Sequence, residues 1–435
     1  MNSEGENGRM RTQARPVDRR SEILRHACAL FARQGYGGTT VRQIAEAAQL
    51  LSGSLYHHFP SKEAMLLDIL EEYFAETVVR NRTALDGAED AVAALRGLIR
   101  ASLTVIAHNP DAAVVVVGEC RRLALSDERF RWLAERTAQN NTVWHTVIAE
   151  GVRTGLLRSD LETETIGYFV QTSVWAMAQW YRTHGRYDPD EASGLLVELF
   201  VRGIAEPHAY RRGDLRGILR DAAPVQWPAG ASAALGNAAG RPARSADGAD
   251  PRARIGQAAG LLFARQGYAV TTTRQIAELA GVPVGSLAHH IGSKERLLGD
   301  MLAGFFEELL AAFGRDEAVG RGPSLRMAGL VARTVEGLAE HGVASVLLLN
   351  EATADDVPKA EISRLLGDVE GVWTRVLADG MRDGDFRAGL DAAFVQRVAR
   401  TALSTSSVAY PGMEVRHLTA LYQEVLLGGI GARPE

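Results

Sequence analysis

Residues 31–63 read FARQGYGGTTVRQIAEAAQLLSGSLYHHFPSKE, and residues 263–295 read FARQGYAVTTTRQIAELAGVPVGSLAHHIGSKE. At a constant offset of 232 positions the two stretches agree, without a gap, at roughly two thirds of their positions. Shared helical composition does not produce that degree of identity; a duplicated segment does. A fainter echo at an offset of 229 sets Gly151, Gly155 and Arg158 against Gly380, Gly384 and Arg387, and Trp144 against Trp373, so the duplication covers a whole module. Between the copies, Asp221 to Asp250 is rich in Ala, Gly and Pro and lacks an apolar period, which predicts a flexible linker.

Both copies read as all-helical. Apolar residues recur at three- and four-residue intervals, as in Ile23, Ala27, Leu30 and Phe31, and no stretch alternates as an exposed strand would. Val114 to Val117 is valine-rich enough for a strand, but it follows Asn109-Pro110-Asp111, a helix start, and runs on to Leu123 with helical spacing. Within the repeated stretch, a helix over 18–34 ends at Gly35, which adopts the left-handed conformation cheaply. Thr40 and Gln43 have the spacing of a capping box, copied as Thr272 and Gln275, and open a helix that runs through Ala48. A turn of three or four residues leads to a short helix over about Ser52 to His58, and Ser61 caps a long fourth helix. Two short helices joined so tightly cross steeply, the geometry that lets the second lie in a DNA major groove.

The run Leu30-Phe31, Gly35-Tyr36, Thr39-Thr40 and Ile44-Ala45, continued by Gly53 to Phe59 and by Ser61-Lys62-Glu63, resembles the DNA-binding region of TetR-type transcriptional repressors. It does so twice in one chain. The resemblance implies an all-α fold of two tandem modules, each a helix-turn-helix followed by a helical bundle that binds an effector and dimerises. The expected divisions are a basic arm (1–17), a first helix-turn-helix (18–63), a first helical domain (64–210), a linker (211–250), a diverged second helix-turn-helix (251–295) and a second helical domain (296–430).

The resemblance also implies roles for individual residues. Ser52, Gly53 and Ser54 start the recognition helix and meet base edges and phosphates. Tyr56, His57 and His58 contact backbone and groove, and Lys62 anchors a phosphate. Thr39 and Thr40 stand at another helix start, where unpaired amides favour anions. The matching positions in the second copy are Thr271, Thr272, Gly285, Ser286, His289, His290 and Lys294. Hydroxyls, imidazoles and an ammonium together make a donor cluster suited to phosphate oxygens. His57 and His58 cannot grip one metal ion, because neighbours on a helix point about 100° apart. Arg9, Arg11, Arg15, Arg19 and Arg20 precede the first helix, as a solvated tail or as an arm reaching the DNA.

The copies are not equal. Ser52, Tyr56 and Phe59 become Val284, Ala288 and Ile291, while Gln49 stands where the family places a turn glycine that Gly281 retains. The first head is therefore expected to dominate affinity, and the pair to read an asymmetric operator of double-stranded DNA.

In the family the last two helices form a four-helix dimer interface. Here they fall over 161–182 and 189–204, and over 390–408 and 414–427, which implies an intramolecular pseudo-dimer, with pairing between chains as the alternative. Trp144, Tyr168, Trp175, Trp180, Tyr181 and His184 are the candidate effector-pocket residues, with plain core packing as the competing role. Leu50 to Phe59 is similar to actinobacterial regulators of steroid-ring and fatty-acid breakdown, whose effectors are acyl-CoA esters. The expected effector is a small apolar or amphipathic molecule, an acyl-CoA ester being one candidate, and the expected function is repression relieved by that ligand.

Composition limits the other classes. A net charge of -5 means that DNA binding rests on a local patch rather than on bulk attraction. Two cysteines, Cys28 and Cys120, exclude a disulfide framework and any zinc site with several thiolates. No apolar run approaches the roughly 18 residues of a membrane span and the N-terminus is polar, so a cytoplasmic protein is expected. No nucleophile–base set, phosphate loop or His-x-x-x-His pair occurs, so neither catalysis, cofactor nor metal is expected. The competing reading is a ligand- or partner-binding helical scaffold that has lost part of its DNA binding, suggested by the altered second head.

Overall fold

A computed structural model describes residues 19–126, 128–160, 163–178, 187–202, 251–266, 268, 270–340, 359–404 and 414–428. Their elements are helical, with no strand among the described residues. In the first head, α1 (Arg19–Gly38), α2 (Val41–Ala47) and α3 (Ser52–Leu55) enclose Ile23, Phe31, Ile44, Leu55 and Phe59, all buried. Gly35 breaks α1 as the sequence suggests, with φ 74°, but one more short turn follows, so the element reaches Gly38. The capping boxes form in both copies, each Thr hydroxyl accepting the N–H of Gln43 or Gln275.

Helix α4 (Lys62–Asp86), capped by Ser61, runs from the head into the first helical domain. That domain continues with α5 (Ala91–His108), α6 (Pro110–Ser126), α7 (Arg131–Arg153), α8 (Thr163–Ala176) and α9 (Pro189–Arg202). Val114 to Val117 is helical, inside α6. Helix α5 corrects one expectation: it is long and apolar enough, by length and mean hydropathy, to cross a membrane. Its apolarity has another cause, since α5 touches α4, α6, α7, α8 and α9 and is 56% buried as the centre of the bundle.

The second copy repeats the plan. Its head comprises α10 (Pro251–Gln266), α11 (Thr273–Ala280) and α12 (Val284–Ile291). Its helical domain comprises α13 (Lys294–Glu317), α14 (Pro323–Glu340), α15 (Lys359–Asp383), α16 (Ala392–Ser404) and α17 (Val415–Gln423), which ends in a π turn over Glu424–Gly428.

The helices expected to pair do so within one chain: α8 packs on α16, and α9 on the π turn. The rings of Phe169 and Tyr422 meet edge to face at 4.8 Å, a favoured aromatic geometry. Tyr187 packs on Phe394 and its hydroxyl donates to Asp391 at 2.5 Å. Arg158 donates to Glu424 at 3.1 Å, and its counterpart Arg387 to Glu198 at 2.6 Å. Each arginine closes the repeated Gly-x-x-x-Gly-x-x-Arg turn, whose second glycines, Gly155 and Gly384, have φ 74° and 81°. The first glycines give room: a Cβ on Gly380 would overlap the Phe386 ring, and one on Gly151 would lie 2.6 Å from Leu157. The faint second repeat is therefore the device that aims an arginine across the junction. A cavity of about 20 Å³, lined by apolar side chains including Phe169, Phe200, Val398 and Tyr422, remains between the modules.

Cys28 and Cys120 are buried thiols, and burial pushes Cys28 up to about 12 and raises Cys120 as well, which keeps both out of the reactive thiolate form.

Candidate nucleic-acid interface

The first head presents a compact exposed surface at α3. Ser52, Gly53, Tyr56, His57 and His58 are exposed and Ser54 is half-buried, while Leu55 and Phe59 on the opposite side anchor the helix in the core. The α-helical part of α3 ends at Leu55, and Tyr56 to His58 continue as turn, so the helix is shorter than the expected Ser52 to His58. In the second head α12 runs regularly through Ile291. It exposes Gly285 and His289, half-buries Ser286 and His290, and offers Val284, 50% exposed, where the first head has a serine.

A Cβ on Gly53 or on Gly285 would meet nothing within 4 Å. Neither glycine is required by the protein's own packing or by a left-handed backbone, so both leave a flat place where another molecule's backbone can approach.

The turn before α3 differs between the copies for a backbone reason. Gly281 caps α11 with φ 64°, and Gln49 occupies the same turn with φ 55°, the one positive-φ residue other than glycine among those described. The geometry survives in the first head at the cost of placing a side chain in the left-handed region.

Four of the residues expected at the DNA are engaged within the heads themselves. Lys62 does not point outward: its ammonium donates to the carbonyls of Tyr36 at 2.7 Å and Thr39 at 2.8 Å and lies 4.2 Å from the Tyr36 ring centre. Lys294 repeats this with Tyr268 and Thr271, and burial holds its ammonium below the usual lysine range. Both lysines stitch the end of the first helix to the start of the fourth. Thr39 and Thr271 are buried at 1% exposure and accept from Gln34 and Gln266, so their hydroxyls serve the head's interior. Thr40 and Thr272 are exposed, as expected, with their hydroxyls in the capping boxes.

Arg19 and Arg20 belong to the head rather than to an arm. Arg19 donates to the Ala48 carbonyl, and Arg20 pairs with Asp68 and lies over the Phe59 ring. Arg9, Arg11 and Arg15 lie outside the described residues.

One link the sequence did not announce joins head to bundle. The Tyr36 N–H donates to the Glu119 carboxylate of α6 at 3.0 Å, just after the Gly35 break. Tyr36 also packs on Phe31 of α1 and on Phe130 ahead of α7. Glu63 of α4 pairs with Arg129. Residues from α1, α4 and α6 therefore converge on one tyrosine.

Of the candidate pocket residues, Trp144 is fully buried and its indole N–H has no protein partner. Tyr168 and Trp175 are half-buried against the core from α8. Trp180, Tyr181 and His184 lie outside the described residues.

Two exposed helix-turn-helix surfaces on helical domains that clasp each other define a two-headed DNA-binding regulator. A family model described as bacterial regulatory proteins, tetR family, matches residues 23–69 and 255–301, and one described as tetracyclin repressor-like, C-terminal domain, matches 88–204. The HTH-type transcriptional repressor KstR2 of Mycobacterium tuberculosis is 35% identical over 188 residues, covering 43% of this chain and 94% of that repressor. Its counterpart from Rhodococcus jostii is 35% identical over 190 residues, covering 44% and 93%. The solved structure of the ketosteroid transcriptional regulator KstR2 of Mycobacterium tuberculosis is similar at 34% identity and a TM-score of 0.40, covering 42% of this chain and 94% of that one. The chain belongs to the TetR family of bacterial regulatory proteins, and carries that family's DNA-binding region twice.

Proposed function

We propose that one chain reads one asymmetric operator with its two heads and releases it when a small amphipathic effector enters the first helical domain. Ser52, Gly53, Ser54, Tyr56, His57 and His58 supply most of the grip, and Gly285, Ser286, His289 and His290 a weaker second one. Thr40 and Thr272 bring exposed helix starts to the phosphates. The cross-module arginine pairs support a pseudo-dimer in which a single chain holds both heads.

One observation carries the effector reading. Asn81 on α4, Ser102 on α5, Asn140 and Trp144 on α7, and Gln171 on α8 are all buried, and each has a polar atom without a protein hydrogen-bond partner. Gln171 lacks partners for both its amide atoms. Leaving such a group unpaired costs about 1–3 kcal/mol, so this set favours a ligand with polar groups on an apolar frame, and Ser324, Gln396 and Gln423 make the same demand in the second bundle. An acyl-CoA ester has that character, and the KstR2 relatives, one described as a ketosteroid regulator, make a steroid-like acyl group a sensible first choice. Helix α4 is the lever: it carries Asn81 at one end and Lys62, which holds the Tyr36–Thr39 loop, at the other.

The test is retardation of the DNA upstream of the gene by the full chain, at several salt concentrations, with acyl-CoA esters or free coenzyme A added. Salt-sensitive binding by one chain per site, relieved by an ester and not by coenzyme A, is expected. Gln171→Leu is expected to keep DNA binding and lose the ester's effect. Absence of salt-sensitive retardation, or relief that ignores Gln171, would remove the respective half of the proposal.

A further inference from the structure

At the end of α1 the first copy has Gly37 and Gly38, where the second has Ala269 and Val270. This pair of substitutions stands in the otherwise well-kept repeat, two residues ahead of each capping threonine. Gly37 and Val270 share a location: a Cβ built on Gly37 would lie 2.6 Å from Val270 Cγ1. Non-bonded carbons settle about 3.5–4.0 Å apart, so the valine of one head occupies the space that a side chain on the other would need.

The glycine is not explained by its own backbone. Gly37 is absent from the positive-φ positions, unlike Gly35 two residues earlier, so any residue could adopt its conformation. What a side chain would meet is the other head. Val270 is 40% exposed, which puts the contact at the surface. A symmetric dimer would face this place with two identical loops, whereas this chain faces a bare loop with a filled one.

Position gives the contact its leverage. The loop ends at Thr40, the N-cap of α2, and α2 leads directly to the exposed residues of α3. The same order holds from Val270 through Thr272 to α12. A displacement of either loop therefore carries its recognition helix with it. On B-DNA each base pair adds about 3.4 Å of rise and about 34° of rotation, so a shift the size of one side chain is comparable to one step of half-site spacing.

We propose that the Gly37–Val270 contact sets the separation of the two heads and thereby selects the spacing between the half-sites of the operator. The proposal rests on the reading of both heads as DNA-binding. It makes Gly37 and Val270 specificity-determining positions that touch no base.

The experiment uses the full chain and a set of duplexes in which the bound upstream site is lengthened or shortened by one or two base pairs between its half-sites. Gly37→Leu is expected to lose about tenfold in affinity on the native spacing and to gain on the lengthened site relative to wild type. Val270→Gly, which removes the filler without adding bulk, is expected to flatten the spacing preference, and Gly37→Leu/Val270→Gly to restore the wild-type optimum. A second readout needs no DNA. Labels at the exposed positions Glu46→Cys and Glu278→Cys report the distance between heads, the native thiols being buried, and Gly37→Leu is expected to lengthen it.

An unchanged spacing profile for folded Gly37→Leu overturns the proposal and leaves DNA reading intact. Failure of the wild type to retard any duplex at low salt overturns both, and the label distance then tells whether the heads meet at all.

Discussion

The carboxylate of Glu424, in the π turn of the second module, sits 3.1 Å from the guanidinium of Arg158 in the first, and the two side chains are only 15% and 9% exposed. Arg158 also pairs with Asp160, so its charge is satisfied from both sides of the junction. Removing one member of so sheltered a pair leaves the other without full compensation. Glu424→Gln is expected to cost about 1–3 kcal/mol in urea unfolding of the full chain, and Arg158→Met a similar amount. The double variant is expected to cost less than the sum. Strict additivity would show that the pair does not hold the modules together.

Gln49 spends conformational energy that its counterpart avoids. With φ 55° it sits where Gly281 sits at 64° in the second head. Gln49→Gly is expected to raise the stability of the first head by about 0.5–1 kcal/mol, read as an increase in Tm, with DNA binding retained. A fall in Tm would mean that the glutamine side chain makes a compensating contact.

Lys62 offers a clean separation of two roles. A phosphate contact contributes about 0.9 to the slope of log K against log salt, whereas an internal lysine contributes nothing to it. Because the ammonium is engaged with the carbonyls of Tyr36 and Thr39, Lys62→Met is expected to lower the stability of the head by about 1–3 kcal/mol and to weaken binding with an unchanged salt slope. A reduced slope at unchanged stability would restore the phosphate-anchor role.

Tyr56 and Ala288 occupy equivalent places on the two heads, and Tyr56 is 54% exposed. Tyr56→Ala is expected to weaken operator binding about tenfold, and Ala288→Tyr to strengthen it, both measured by titration at fixed salt. Equal losses from Tyr56→Ala and His289→Ala would contradict the ranking of the heads.

Most of the fold was legible because each signal was local. The duplication, the capping boxes and the glycine break at Gly35 are fixed by residues within a few positions of one another, and they survive in the structure. The residues that α3 and the turn after it present were named by the resemblance, and of these Ser52, Gly53, Tyr56, His57 and His58 are exposed. What sequence alone missed lies between distant segments. Lys62 looks like a surface cation until the carbonyls of Tyr36 and Thr39, more than twenty residues away, are seen to accept from it. The role of Glu119 depends on α6, which no short-range pattern connects to α1. Arg158 and Arg387 were visible as a repeat, but their partners lie on the opposite module. The one available clue to the contact between heads was the change from Gly37-Gly38 to Ala269-Val270 inside a stretch otherwise preserved.

On the proposed reading of one chain per operator, the inequality of the two recognition surfaces gives the bound molecule a heading. A homodimer laid on its site and then turned end for end is the same object, so it carries no information about left and right along the chromosome. Here one end presents Tyr56 and the other Ala288, and a difference of about 1.4 kcal/mol between the two placements already holds ten molecules in eleven facing the same way. A promoter on one flank of such a site then meets the same module ten times in eleven, as a compass needle keeps one pole to the north.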